Sequence, residues 1–412
     1  MKIKLFIAAI LLVLPMISRW LLPYSLETLL MVNFLDNAFY IPNICYLIYM
    51  LIMISDIHIF KNKKILTIYV IFSFSFFLSW CLNDYSDRWS ILFFNQAIVL
   101  IPIIMLLLPL YNIQIKFLKY IFLFTLLILI LEIILYSLGI FEYEDLSGGE
   151  FSGIFRINTT IGASTGTGVI VFMLGAFVYE NYIKNSNKIF IFLFFILWVT
   201  SIFFTVSRGS ILSILLLLIV ITYKNIINFS LKKRLFFISS IILLFCFLNY
   251  LGVFEPILER QNIMIEENDV TSGREIRQQI AINIFNESPL YGVGNGNVYP
   301  SKELMITDYP STHAMSPHNF WLTILAENGI LGLIILFIFY VSVMKRLNYE
   351  KYTSWAIIIT IVVLMNVENV FIHDEYIALF FLLIISSLKN KQHKSNLNYS
   401  DKNVRRLLRI SQ

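Results

Sequence analysis

Charge is scarce in this 412-residue chain: Asp, Glu, Lys and Arg make up 14% of it, against roughly 25% in an ordinary water-soluble protein. With 58% hydrophobic residues, an aqueous fold could not hide so much Ile, Leu and Phe, so the solvent for the rest is lipid. Cysteine is scarcer still. Cys45, Cys81 and Cys246 each lie inside an apolar run, without ligand or disulfide spacing, and read as small hydrophobes. No His/Asp/Glu cluster has credible metal-ligand spacing, so neither a metal nor any other cofactor is expected, and no nucleic-acid partner either. No internal repeat is visible, which weakens a transporter built from related halves.

What the chain has in abundance is long apolar runs. A hydrocarbon core about 30 Å thick takes roughly 20 apolar residues per helix. Suitable runs cover residues 3–22, 38–54, 65–82, 90–110, 117–138, 161–180, 188–206, 208–223, 235–254, 318–343, 353–371 and 375–388. They predict an all-α integral membrane protein with about 12 transmembrane helices. The segment 22–37 is apolar enough to be re-entrant. Met1 to Arg19 has the basic tip and apolar run of a signal peptide, but no small-residue cleavage site follows, and an uncleaved first helix is expected.

Lys and Arg accumulate on the cytoplasmic side of membrane proteins. With both termini cytoplasmic, 23 of the 31 basic residues fall inside and eight outside. The organisation that follows is helices one to nine over 1–254, a large extracytoplasmic loop over 255–317, helices ten to twelve over 318–388 and a basic cytoplasmic tail over 389–412. Seven of the eight outside cations are arginines: Arg19, Arg88, Arg156, Arg208, Arg260, Arg274 and Arg277, with Lys302 the eighth. Topology needs only positive charge; arginine is favoured where phosphate or carboxylate is gripped bidentately. Ion pairing with outside carboxylates is the plainer alternative.

The outer loop holds a helix signal. Ser272 and Glu275 have capping-box spacing, and Ser288-Pro289 stop the helix near Glu287. Ile276, Ile280 and Ile284 make an apolar stripe, while Arg274 and Arg277 share another face. This amphipathic helix is expected at the membrane surface with its basic edge near the headgroups; packing on the bundle would explain the stripe equally well. After it, Gly292, Gly294 and Gly296 permit positive φ and close backbone approach, the makings of an anion-binding nest or of a plain glycine-rich turn.

Three stretches together resemble the superfamily of bacterial O-antigen polymerases, capsular polysaccharide polymerases and O-antigen ligases. They are Ser207-Arg208-Gly209-Ser210; Ser272-Gly273-Arg274 through Glu287-Ser288-Pro289-Leu290 to Gly292-Val293-Gly294; and His318-Asn319 with Leu322, Glu327-Asn328-Gly329 and Gly332. A looser echo is Gly153 to Asn158. The resemblance covers roughly 150–340. It implies a metal-independent membrane glycosyltransferase of the bacterial cytoplasmic membrane. Its donor would be an oligosaccharide on undecaprenyl pyrophosphate, its acceptor a sugar hydroxyl at the outer face. A chain-length regulator and a flippase would be partners, beside the lipid bilayer itself. The run Pro317 to Leu322 and the glycine-rich stretch look more like polymerases. A ligase delivering polymer to a lipid A-core acceptor is the alternative within the superfamily, and a polysaccharide flippase the alternative outside it.

For such a transfer, the departing pyrophosphate needs cations where its charge develops. Arg208 and Arg274, with Arg156 or Arg277, are the candidates; a snorkelling Arg208 and a salt-bridged Arg274 are the competing explanations. The acceptor hydroxyl needs a base or an orienting hydrogen bond. His318 is the candidate, against a role as the cap of the tenth helix, and His313 is the weaker one. Glu327, nine residues further on, would lie about 13.5 Å deeper and is assigned to structure or helix pairing. Glu132 and Glu368 are further candidates to line the cavity.

Overall fold

The computed structural model describes residues 2–21, 31–34, 37–40, 44–53, 63–82, 101–107, 112–137, 164–205, 207–226, 239, 274–294, 317–367 and 374–388. The expected ninth span, the candidate Arg156 and most of the outer loop lie outside these residues. The helices are α1 (Lys2–Leu21), α2 (Ile44–Met53), α3 (Lys63–Leu82), α4 (Ile101–Leu107), α5 (Asn112–Ser137), α6 (Ser164–Val178), α7 (Lys188–Phe204), α8 (Arg208–Ile226), α9 (Arg274–Glu287), α10 (Phe320–Met344), α11 (Tyr352–Val367) and α12 (Asp374–Ser387). Three are long and apolar enough to cross a membrane: Phe117–Leu135 in α5, Gly166–Ile183 along α6 and its extension, and α10. The described residues are mostly helical but not all-α. Met31–Phe34 (β1) and Asn37–Tyr40 (β2) pair antiparallel, so the second apolar run does not start as a helix at 38, and its helix is limited to Ile44–Met53.

The exterior shows why composition is a guide here. Along α5 the buried stripe is Phe122, Leu126, Leu129 and Ile133, but the opposite face carries Phe124, Leu127 and Leu131, 64%, 49% and 55% exposed. A helix on a soluble protein is polar on that face; a lipid-facing one has no reason to be. Ile334, Phe337 and Ile338 on α10 repeat the pattern.

α6 is the centre of the bundle. Val169 to Val178 are all buried, with α5, α7, α8, α11 and α12 packed around them. Trp198 of α7 fits against Gly175, where a Cβ would come within 2.0 Å of the indole, and its Nε1 donates to the Val171 carbonyl at 2.9 Å.

Beyond Val178 the helix widens into a π turn, Tyr179–Ile183, which carries the buried Glu180. Glu180 accepts from the Tyr352 amide at 2.8 Å and from Lys184 Nζ. Lys224, at the end of α8, donates to the Tyr349 carbonyl and lies over the Tyr352 ring; Lys351 donates to the Ser386 carbonyl. Desolvation lowers the pKa of both lysines, and Glu180 opposes it. These lysines come from three connections that the charge count assigns to one side, and they gather at one end of the bundle. Arg208 begins α8, sixteen residues before Lys224, or about 24 Å at helical rise.

α10 is broken. Gly329 has φ 64° and ψ −170° inside an otherwise helical run. A break strands carbonyls before it and N–H groups after it, and deep in a bundle each needs a partner. The segment Pro289–Gly294, following α9, supplies them. The amides of Val293 and Gly294 donate to the carbonyls of Ala326 and Glu327 at 2.9 and 2.7 Å, and those of Ile330 and Leu331 donate to Pro289 and Leu290 at 2.9 and 3.4 Å. Ser79 of α3 adds a bond to the Glu327 carbonyl at 2.8 Å.

Candidate functional site

The Ser207-Arg208-Gly209-Ser210 stretch builds the start of α8. Thr205 closes α7, with its hydroxyl donating to the Ile202 carbonyl at 2.7 Å. The Ser207 carbonyl accepts the first helical bond, from Ile211 at 2.9 Å, and its hydroxyl meets that of Ser210 at 3.0 Å. Both serines are buried. A Cβ on Gly209 would fall 2.5 Å from Val367 Cγ2, so glycine lets the end of α11 close against this turn. The small residues serve packing, and the long one is left facing out: Arg208 is exposed at the first position of the helix.

Arg274 is the first residue of α9, and after burial its charge is the next influence on the Arg208 guanidinium. Two cations far apart in sequence thus lie within electrostatic range of each other, each at the positive pole of a helix. Cations are disfavoured there by about 0.3–1 kcal/mol, so the arrangement raises the local positive potential at a cost in stability. An anion bound between them reverses that cost.

α9 keeps its expected end at Glu287, and its apolar side packs on the bundle. Ala281 and Ile284 are buried against Ala326, with Ile280, Phe285, Val293 and Leu322 around them. Arg277, one turn before Ala281, lies on that packed side and is 7% exposed. The helix therefore docks on the first part of α10, with Arg277 turned toward protein and Arg274 partly exposed. Ile280 and Ile284 of the expected stripe do pack here, and Ala281 and the buried Arg277 share that side with them.

The glycine-rich stretch is also corrected in part. Gly292 and Gly294 do have positive φ, 71° and 95°. Their amides, however, donate to the Ser288 and Glu327 carbonyls, and that of Val293 to Ala326. Those three N–H groups are committed within the protein and do not form a nest for an anion; Gly296 lies outside the described residues.

His318 sits at the mouth of α10, half-buried, with φ 49°. Left-handed backbone at a non-glycine residue costs about 1–3 kcal/mol and gathers at functional sites. The capping role falls to its neighbour: Asn319 Oδ1 accepts from the Leu322 amide at 3.1 Å. Glu327 is fully buried beside the α10 break, in keeping with a structural place. The signal that could have revealed the break is Asn328-Gly329, a left-handed helix ending inside an apolar run.

Residues 191–337 match the family model described as O-Antigen ligase. The match covers about a third of the chain and supports the resemblance to the O-antigen polymerase and ligase superfamily. It runs from α7 well into α10, and holds Arg208, Arg274, Arg277, His318 and both halves of the interlocked break, while Arg156 precedes it. No curated protein matches the chain. The family match is to the part of the chain that carries these residues, and it supports a membrane protein of the O-antigen polymerase or ligase kind.

Proposed function

We propose that this protein polymerises oligosaccharide repeat units carried on undecaprenyl pyrophosphate, at the outer face of the cytoplasmic membrane. The observation that carries the reading is that Arg208 and Arg274 open two helices within electrostatic range of each other, inside the family-matched segment. In the proposed reaction, the acceptor sugar hydroxyl attacks the anomeric carbon of the carrier-linked glycan. The bond from that carbon to the pyrophosphate oxygen breaks, and the electron pair leaves with the carrier. His318 takes the hydroxyl proton, and Arg208 and Arg274 hold the charge of the leaving pyrophosphate, with Arg277 or Arg156 in support. The arginines supply the positive charge, so no metal is required.

The proposed setting is a protein of about twelve spans with both termini cytoplasmic and residues 255–317 outside. A chain-length regulator and a flippase are its proposed partners. The description of the matched family favours a second reading, in which finished polymer is transferred from the carrier to a lipid A-core acceptor. Carrier-bound glycans in a deletion strain separate the two. Single repeat units accumulating on the outer leaflet support the polymerase. Long polymer stranded on the carrier identifies the ligase, and units trapped on the cytoplasmic side identify a flippase.

A further inference from the structure

We propose that Pro289–Gly294 and Gly329 form a positioning element of the transfer site. They join α9 and the first part of α10 into one piece that sets α9's arginines and His318 against Arg208. The inference rests on the proposed roles of those residues.

The joint is reciprocal. A Cβ on Gly292 would lie 2.2 Å from the Glu327 carbonyl carbon; one on Gly329 would lie 2.4 Å from that of Leu290. Each glycine is the space into which the other segment's backbone fits, and both have the positive φ that disfavours any replacement. The four backbone bonds across the joint run both ways, two donated by each segment. Sliding one segment past the other would break all four together and leave buried amides and carbonyls unmatched. The side-chain contact of Ala281 and Ile284 with Ala326 continues the joint along α9. Ser79 ties it to α3 through the Glu327 carbonyl.

The functional groups stand at the free ends of this piece. Arg274 and Arg277 lie in the first turn of α9, two turns and one turn before Ala281. His318 lies one turn before Leu322. The four backbone bonds of the joint are made by other residues, yet the joint limits where these three can be. A misplacement of about 1 Å can cost on the order of 10²-fold in rate.

The test uses the full chain in membrane vesicles, with isolated carrier-linked repeat units as donor. Gly292→Ala and Gly329→Ala are expected to lower kcat at least tenfold, with KM for the donor little changed. Normal transfer by either variant at normal abundance overturns the proposal. Because these variants can fail by misfolding, Ala281→Cys with Ala326→Cys is made in a background in which Cys45, Cys81 and Cys246 are alanine. The pair is expected to oxidise, to leave transfer within about twofold, and to restore part of the transfer lost in Gly292→Ala, reversibly with reductant. Failure of the pair to oxidise overturns the packing that the proposal assumes. Loss of transfer on oxidation, regained on reduction, shows that α9 must move against α10 and overturns it too. If the parent protein transfers no carrier-linked units in this assay, the functional reading fails; a slow Gly292→Ala beside an active parent is a result about the joint alone.

Discussion

Arg208 opens α8 and Arg274 opens α9, and the charge of the second acts on the guanidinium of the first. A like-charge pair at two helix N-termini is stabilised by an anion, and its geometry decides how well. Arg208→Lys and Arg274→Lys are therefore expected to lose polymer nearly as completely as the alanine variants, by about 10²–10³-fold, the range for removing one preorganised donor. Gel profiles of surface polysaccharide in the complemented deletion strain check this. Normal polymer from the lysine variants would make these arginines topological.

His318 combines a left-handed backbone with a titratable ring, and the two can be separated. His318→Gly removes the ring while relieving the backbone. It is expected to unfold no earlier than the parent, and up to about 1 kcal/mol more stably, while transfer falls by about 10²–10⁴-fold. Thermal unfolding in detergent, beside chain-length analysis, reads both. Chains of normal length would remove the imidazole from the reaction.

Transfer by purified protein is expected to continue in EDTA if, as proposed, the arginines rather than a metal neutralise the leaving pyrophosphate. A rate that collapses with chelator and returns with a divalent cation refutes that assignment.

The cluster around Glu180 predicts a stability effect without a site effect. Glu180→Gln weakens the acceptor for Lys184 and the Tyr352 amide. A loss of about 1–2 kcal/mol is expected, discounted because the Lys184 side chain is partly exposed. The unfolding midpoint in detergent should fall while specific transfer activity per folded molecule stays unchanged.

For topology, a cysteine introduced at position 302 should react with an impermeant reagent from outside only. Labelling from the cytoplasm alone would reverse the orientation and take the outer-face function with it.

Much of the helical layout could be read from apolar run length, because lipid removes the usual alternation and leaves length as the signal. The runs 65–82, 117–138 and 188–206 sit on α3, α5 and α7 with small shifts. The starts of the runs at 208 and 318 were legible too, falling at or within two residues of the starts of α8 and α10. What escaped was anything set by a partner distant in sequence. The burial of Arg277 depends on α10, and the use of the Gly292 and Gly294 amides depends on a break at Gly329. A β-hairpin at Met31–Tyr40 competes with helix over a few residues where run length carries no information.

The broken α10 also bears on how the chain assembles. The residues that complete it, Ser79 and Pro289–Gly294, both precede it in sequence. An ordinary spanning helix enters lipid with its own backbone already satisfied; this one holds open groups at Ala326, Glu327, Ile330 and Leu331 until the earlier segment meets them. The order of synthesis provides for this, because the filling segment has emerged before the gap does. A chain permuted so that α10 is made first would have to insert it unfinished.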